Sequence, residues 1–481
     1  MRQDNMMNPT QHDQQLLHIL RNMKNAHLQA GAASAALRRD RLQRSIALIR
    51  DNHAAIAEAI NADFGHRSAY QTLAADLVTT INMLQHSADN LEAWMAAENA
   101  EVPVAGMQAW IAPQPLGVIG IISPWNFPIN LAFGPLAGVF AAGNTAMLKP
   151  SELTPKTSEL LAELVARYFD PQELTVVLGD ADVGQAFSRL PFDHLVFTGS
   201  TSVGKHVMRA AAENLVPVTL ELGGKSPVVV DVDADPALAA ARTLTIKTFN
   251  AGQICISPDY LLLPEGAEDA FVSAARRFMQ LTFPTVQSNP DYTAIISDRH
   301  YQRLVTLLED AKNKGARIIS LAPEGEPAFD AHSRKIAPHL ILAVTEEMAV
   351  MQEEIFGPLL PIKTWSTSVN KAIDYINAHP RPLAAYYFGN DAQRQQQMAQ
   401  RTTSGALVIN DVMTHASLDS LPFGGVGASG IGAYHGIHGF RRFSHAKPVV
   451  VQDEAGTTNL RLRAPYQDKM ALLTSLLVKQ Q

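Results

Sequence analysis

Cys255 is the only cysteine in 481 residues, and it lies within FNAGQICISPDY, from Phe249 to Tyr260. An unpaired cysteine has two readings: a small buried hydrophobe, or a nucleophile whose thiolate attacks an electrophilic carbon. Gly252 and Gln253 close a helical pattern just before it and leave the thiol on a loop. No charge lies between Lys247 and Asp259, and no histidine adjoins the thiol. Any activation must come from elsewhere in the fold. Glu221, in TLELGGKSP, ends an apolar strand pattern just ahead of Gly223 and Gly224. Partial desolvation there raises a carboxyl pKa and suits a general base. The alternative is a strand-end acid that binds backbone amides.

Two further stretches suit a nucleotide. FTGSTSVGK places Gly199 and Gly204 between a strand and a helix, where backbone amides and a helix N-terminus can approach a pyrophosphate. The spacing is not the usual G-x-G-x-x-G, so a tight turn explains it equally. LKPSE ends another strand, and Lys149 and Glu152 there could bond ribose hydroxyls or form a solvated pair. Glu152 would repel a 2′-phosphate, which leans towards NAD over NADP.

These residues need elements to hold them. From about Gln14 to Ala97 the apolar spacing is helical, after a polar start to about residue 15 that reads as frayed. GVIGIIS, NTAMLKP and HLVFTGS read as buried strands, alternating with helices at NLAFGPLAGVFAAG, TPKTSELLAELVARYF and VGKHVMRAAAENL. Thr154 is the expected cap of the second of these, with Pro155 in its first turn. The repeated strand–helix–strand pattern predicts a doubly wound parallel sheet. A second α/β unit starts near Leu222, with a helix over Pro236 to Ala251 and a strand at YLLLP. From Val102 to Leu148 there is no charge and no histidine, but Pro113, Pro115, Pro124, Pro128 and Pro135 interrupt the run, with Asn126, Asn130 and Asn144 alongside. A buried strand–turn–helix unit fits this better than a membrane span, which needs ~20 unbroken apolar residues. The tail YQDKMALLTSLLVKQQ has a short helical apolar face, expected to pack on the surface.

The net charge is −7 without a dense basic block, so nucleic acid and anionic membrane are poor partners. One cysteine allows no internal disulfide, and MRQDNMMNPTQHDQQ has no apolar signal region, so the expected compartment is cytoplasmic. Sixteen histidines include HGIH, but no second cluster completes a ligand set and no metal is expected.

Taken in order, PWNFP, KPSE, FTGSTSVG, LELGGKSP, FNAGQIC, QEEIFGP and LPFGGVGASG make the chain resemble the aldehyde dehydrogenase superfamily from about Ser34 to Val451. CISPDY and GASGIGAYHGIHGFRRFSH look like its class 3 and coniferyl aldehyde dehydrogenase branch. The resemblance implies an α/β fold. It would comprise a doubly wound, Rossmann-like NAD-binding domain (1–98 and 113–221), an α/β catalytic domain (222–439) and a small β oligomerisation arm (99–112 and 440–452). Residues 453–481 form a tail. It further implies Cys255 as nucleophile, Glu221 as the base that activates water, and Asn126 with the Cys255 N–H as oxyanion donors. Lys149 and Glu152 match adenosine-ribose contacts, Gly199, Ser200 and Gly204 the pyrophosphate loop, and Glu354 and Phe356 the nicotinamide side.

The implied function is NAD(P)-dependent oxidation of an aldehyde, aromatic or medium-chain aliphatic, to its acid through a Cys255 hemithioacetal and thioester, in a homodimer. The cofactor is NAD, with NADP the alternative. A CoA-acylating semialdehyde dehydrogenase is a competing reading, which a water-activating Glu221 opposes. A silent binding protein on the same scaffold is another, opposed by the presence of Cys255, Glu221 and Asn126. A cofactor-free cysteine hydrolase would need a histidine partner for Cys255.

Overall fold

The computed structural model describes residues 11–102, 106–365, 368–456 and 458–478. The frayed start falls for residues 1–10 outside that set, and from Gln11 the chain is already helical, in Gln11–Ala30. Leu16, Leu20 and Met23 are buried at helical spacing against one face of the first sheet, and Asp13 pairs with Arg189 at 3.0 Å. Burial of that apolar stripe explains why the segment is ordered earlier than its polar composition suggests.

The first sheet runs, in spatial order, Gly430–Ile431, Val218–Leu222, His194–Gly199, Val118–Ile122, Thr145–Lys149 and Leu174–Val176. All neighbours are parallel except the first pair, where Gly430 lies opposite Glu221. The chain starts at Val118–Ile122, winds outwards through the next two strands, then returns to the other side at His194–Gly199. The reversal is the switch point at which such sheets bind ligands, beyond the carboxyl ends of the strands. The charge-free run is buried from Gly117 onwards, where every residue of Asn144–Lys149 and nearly all of Val118–Ala142 is inside. It is not buried before that: the strand Met107–Pro115 is half-exposed along its length, contrary to the expected fully buried unit.

The second sheet has seven strands, ordered Arg317–Ser320, His339–Leu342, Leu359–Trp365, Pro258–Pro264, Ser226–Val230, Ala384–Phe388 and Ala406–Ile409. All pairs are parallel save the Arg317–Ser320 edge. A third, antiparallel sheet joins Glu98–Asn99, Met107–Pro115 and Ser444–Gln452, whose register runs from Ser444 opposite Pro115 to Gln452 opposite Met107. Residues 103–105, inside the expected arm, lie outside the described set.

Three further expectations change. Gly430–Ile431, expected in the second unit, crosses back to extend the first sheet. Thr154 occupies the cap position of the helix Pro155–Tyr168 but makes no cap bond. Instead the Asp63 carboxylate accepts from Lys156 N (3.0 Å), Thr157 N (2.8 Å) and Thr157 Oγ1 (2.7 Å), so a distant acid caps the helix. The tail helix Gln467–Leu477 buries none of its residues, and Leu472, Leu476 and Leu477 stand exposed where surface packing was expected. Residues 479–481 of the tail are outside the described set.

Candidate active site

The helix Pro236–Thr248 ends in a tight turn in which Asn250, Ala251 and Gly252 all have positive φ, at 49°, 50° and 72°. Left-handed backbone at non-glycine residues costs about 1–3 kcal/mol each and persists where the surroundings impose it. Here they do. Asn250 Nδ2 donates to Gln253 O (3.1 Å) and Asn126 O (3.3 Å), and Gln253 Nε2 donates to Asn250 O (2.9 Å) and Ala294 O (3.1 Å). Ile296 N returns a bond to Gln253 Oε1 at 3.0 Å. At Gly252 a Cβ would collide with the Gly357 carbonyl. This network presents Cys255, half-buried, at the end of the turn.

Asn126 follows Val118–Ile122, the strand of the first sheet at one side of the switch point. Its Nδ2 donates to Gln253 O at 3.2 Å, which leaves the second N–H of the amide uncommitted by that bond. Its own carbonyl accepts from Arg67 Nη1 at 2.7 Å. Arg67 is fully buried between the rings of Phe64 and Phe127, at 4.8 and 4.9 Å, and pairs with Asp76 at 3.0 Å. Asp76 in turn accepts from Ile129 N (3.1 Å) and Asn130 N (2.9 Å). Sequence reasoning missed Arg67, Asp76, Asn250 and Gln253. A buried Arg–Asp pair inside an apolar helical stretch was the only trace of the first two.

Glu221 is buried, and neither carboxylate oxygen has a hydrogen-bond partner, so it is not an acid tied to backbone amides. Burial pushes its carboxyl well above the ordinary range, with Arg442 pulling it back only in part. Arg442 itself is committed to Thr219 Oγ1 (2.9 Å) and Val218 O (2.5 Å). Glu354 is pushed up to about 8, first by burial and then by Asp259, with Gly224 N–H, Lys225 and Arg303 opposing. The Cys255 thiol is pushed up to about 12, by burial first and then by Glu354 and Glu221; the N–H groups of Cys255 and Ile256 work the other way. The resting thiol is therefore protonated at neutral pH. A nearby glutamate charge opposes the thiolate, so Glu221 can help only by accepting a proton.

Two cavities meet at Cys255. The larger, about 1020 Å³, is walled by Asn126, Gly199, Ser200, Glu221, Glu354 and Phe356 as well as Cys255. The smaller, about 280 Å³, is walled mainly by apolar groups, among them Met83, Phe127, Leu131, Phe249, Phe423 and Tyr434. The geometry suits a group on the polar side exchanging something with an apolar molecule across one sulfur.

The remaining expected residues fall as follows. Ser200 caps the helix Thr201–Ala212, accepting from Val203 N at 3.4 Å, and lies with Gly199 on the wall of the larger cavity. Gly204 sits one turn inside that helix, where a Cβ would come 2.6 Å from Leu222 Cδ2; it sets how closely helix and strand pack. Lys149 is buried at the end of the strand beside Val118–Ile122, and donates to Pro150 O (3.1 Å) and Glu152 (3.3 Å). Phe356, with φ of 50°, packs edge-on to Trp125 at 5.4 Å. No His/Cys/Asp/Glu cluster among the described residues could hold a metal.

Comparison with known proteins identifies relatives of the whole chain. A profile of the aldehyde dehydrogenase family matches residues 5–449. A coniferyl aldehyde dehydrogenase from Pseudomonas sp. (strain HR199 / DSM 7063) is 58% identical over 97% of this chain and 96% of its own length. A substrate-bound structure of Staphylococcus aureus AldH superimposes with a TM-score of 0.89 at 35% identity, covering 98% of this chain and 100% of the other. An indole-3-acetaldehyde dehydrogenase solved with NAD+ superimposes with a TM-score of 0.83 at 26% identity, covering 92% and 89% of the two chains.

Proposed function

The chain belongs to the aldehyde dehydrogenase family, whose members oxidise aldehydes to acids, and on that premise we propose that its substrates are phenylpropenals such as coniferyl aldehyde, oxidised with NAD through a thioester on Cys255. The observation that carries this reading is the meeting of the two cavities at the thiol. The apolar one offers flat faces from Phe127, Phe249 and Phe423 to a conjugated ring. The polar one offers the N-terminus of Thr201–Ala212 at the switch point, with Gly199 and Ser200 leaving room for a pyrophosphate. Lys149 and Glu152 are suited to the adenosine ribose, and Glu354 and Phe356 to the nicotinamide end. Glu152 favours NAD over NADP, because a carboxylate repels a 2′-phosphate.

In this reading Glu221 takes the thiol proton as the sulfur bonds to the aldehyde carbon, and the carbonyl electron pair moves onto oxygen. The free N–H of Asn126 and the N–H of Cys255 hold that oxyanion. Bound NAD supplies the acceptor for the hydride that leaves the tetrahedral carbon. Glu221 gives up the first proton to solvent before water, passing its own proton to Glu221, opens the thioester left on Cys255. The C–S bond breaks, the acid departs and sulfur regains a proton from Glu221. The orphaned, desolvated Glu221 carboxylate suits a base that must serve twice.

A nucleophile that must stay a free thiol suits a reducing compartment, the cytoplasm. No helix among the described residues is long and apolar enough to cross a membrane. The β arm, with its outer strand Ser444–Gln452, supports a homodimer.

A panel of aldehydes, followed at 340 nm with NAD and with NADP, tests the proposal. kcat/KM for coniferyl aldehyde should exceed that for hexanal by ~10-fold or more, and NAD should outperform NADP. Better turnover of short aliphatic aldehydes would overturn the substrate assignment. Cys255→Ala should abolish NADH formation while NAD still binds; retained turnover would remove the nucleophile from the mechanism.

A further inference from the structure

Lys225 follows the glycine pair after Glu221, and Asp259 is the second residue of the strand Pro258–Pro264, which follows the nucleophile turn. The ammonium has three N–H bonds, and each meets an acceptor: the Asp259 carboxylate, Val350 O at 2.7 Å and Glu353 O at 3.0 Å. The other Asp259 oxygen accepts the Ile355 N–H at 2.9 Å. Arg303 adds bonds to Glu354 O (3.2 Å) and Ile355 O. The connection between Ala349–Gln352 and Leu359–Trp365, which carries Glu354 and Phe356, has no helix or strand of its own between these elements. Its backbone is held by charged side chains from other segments. The Glu354 carboxylate packs so tightly on Gly223 that any Cβ there would collide with it, and Gly224 N–H donates to it.

We propose that Lys225 and Asp259 form a positioning pair that locks the Glu354–Phe356 segment, and with it the nicotinamide end of the cofactor, to the strands carrying the base and following the nucleophile. The proposal rests on the reading above that gives Glu354 the cofactor. A point charge with three tetrahedral donors can hold one carboxylate and two carbonyls from separate turns at once. Methionine, of similar length, keeps the stem and loses all three bonds. Asparagine at 259 keeps the volume and one acceptor, and loses the charge.

The test compares Lys225→Met, Asp259→Asn, the double variant and Glu354→Gln. It reads the KM for NAD, the kcat for aldehyde oxidation and the cofactor-free hydrolysis of p-nitrophenyl acetate at Cys255. Small misplacement of a bound reactant can cost on the order of 10²-fold. We expect the KM for NAD to rise ~10- to 100-fold in Lys225→Met and less in Asp259→Asn, with ester hydrolysis changing far less. The double variant should be no worse than Lys225→Met alone, because both remove one interaction. Parallel loss of ester hydrolysis and aldehyde oxidation, or a wild-type KM for NAD in both single variants, would overturn the pairing role. If Lys225→Met fails to fold, Asp259→Asn decides by the same readouts. An unchanged KM for NAD in Glu354→Gln would instead overturn the assignment of Glu354, and the pair's role with it. A raised KM there beside a wild-type value in Lys225→Met sinks the pair alone.

Discussion

Glu221 carries a cost that its chemistry explains. Both carboxylate oxygens are buried without partners, and its folded-state pKa is raised well above the ordinary value. At acid pH, below about 4, the group is protonated in folded and unfolded chains alike and pH does not discriminate between them. As pH rises, the unfolded chain ionises first, so stability falls until the folded carboxyl ionises too. Glu221→Gln removes this dependence. Its Tm should exceed the wild type's at pH 8 and converge with it near about pH 4, by scanning calorimetry. Its kinetics separate the two uses of the base: a pre-steady-state burst of NADH followed by slow turnover would place the essential step of Glu221 in deacylation. Loss of burst and turnover together would place its essential step at or before hydride transfer. Cys255 and Glu221 were singled out by the ordered family motifs that contain them; the local patterns alone, a glycine-ended helix and a strand running into glycines, left a core thiol and an amide-binding acid as open readings. Arg67, Gln253 and Asn250 were not singled out, because the bonds that tie them to the site cross between distant segments, from Arg67 and Asn250 to Asn126 O and from Gln253 to Ala294 O, and leave no spacing to read.

At the scale of elements, local patterns found the helices and strands but not what terminates them. Pro155 marked the start of Pro155–Tyr168 correctly, since its missing N–H is unneeded in a first turn. The cap was misplaced because Thr154 is the nearest hydroxyl in sequence, while the Asp63 carboxylate arrives from another helix with three bonds. A charged acceptor at a helix N-terminus also meets the helix dipole favourably. Asp63→Ala should therefore lower stability by about 1–2 kcal/mol, read from the urea midpoint, with Thr154→Ala costing clearly less. An equal or larger loss in Thr154→Ala would return the cap to the local residue. Because this helix follows LKPSE directly and its Ser158 Oγ donates to Ser151 O at 2.9 Å, Asp63→Ala should also weaken NAD binding modestly if Lys149 and Glu152 hold the adenosine ribose.

For the whole molecule, the alternation of strands and helices announced two α/β sheets, and the family resemblance implied the arm. The return of Gly430–Ile431 to the first sheet escaped notice because a two-residue strand has no pattern, only a partner. The arm leaves an open edge on Ser444–Gln452, with Val450 59% and Val451 48% exposed. An exposed apolar edge strand invites pairing with another chain. The second sheet has its own open edge at Ala406–Ile409, with Ile409 also exposed. In the proposed homodimer the arm of one subunit would cover apolar surface on the other, burying on the order of 1,600 Å² or more. A charge at Val450 would then enter an apolar interface unpaired, at a cost of several kcal/mol. Val450→Lys should shift sedimentation velocity from dimer towards monomer. The smaller cavity and the larger one are both walled without residues of Ser444–Gln452, so Cys255 keeps its surroundings in the monomer. Ester hydrolysis per subunit should persist as the dimer dissociates. A Val450→Lys protein that sediments as an unchanged dimer would place the interface elsewhere, and the exposed leucines of Gln467–Leu477 would be the next surface to substitute.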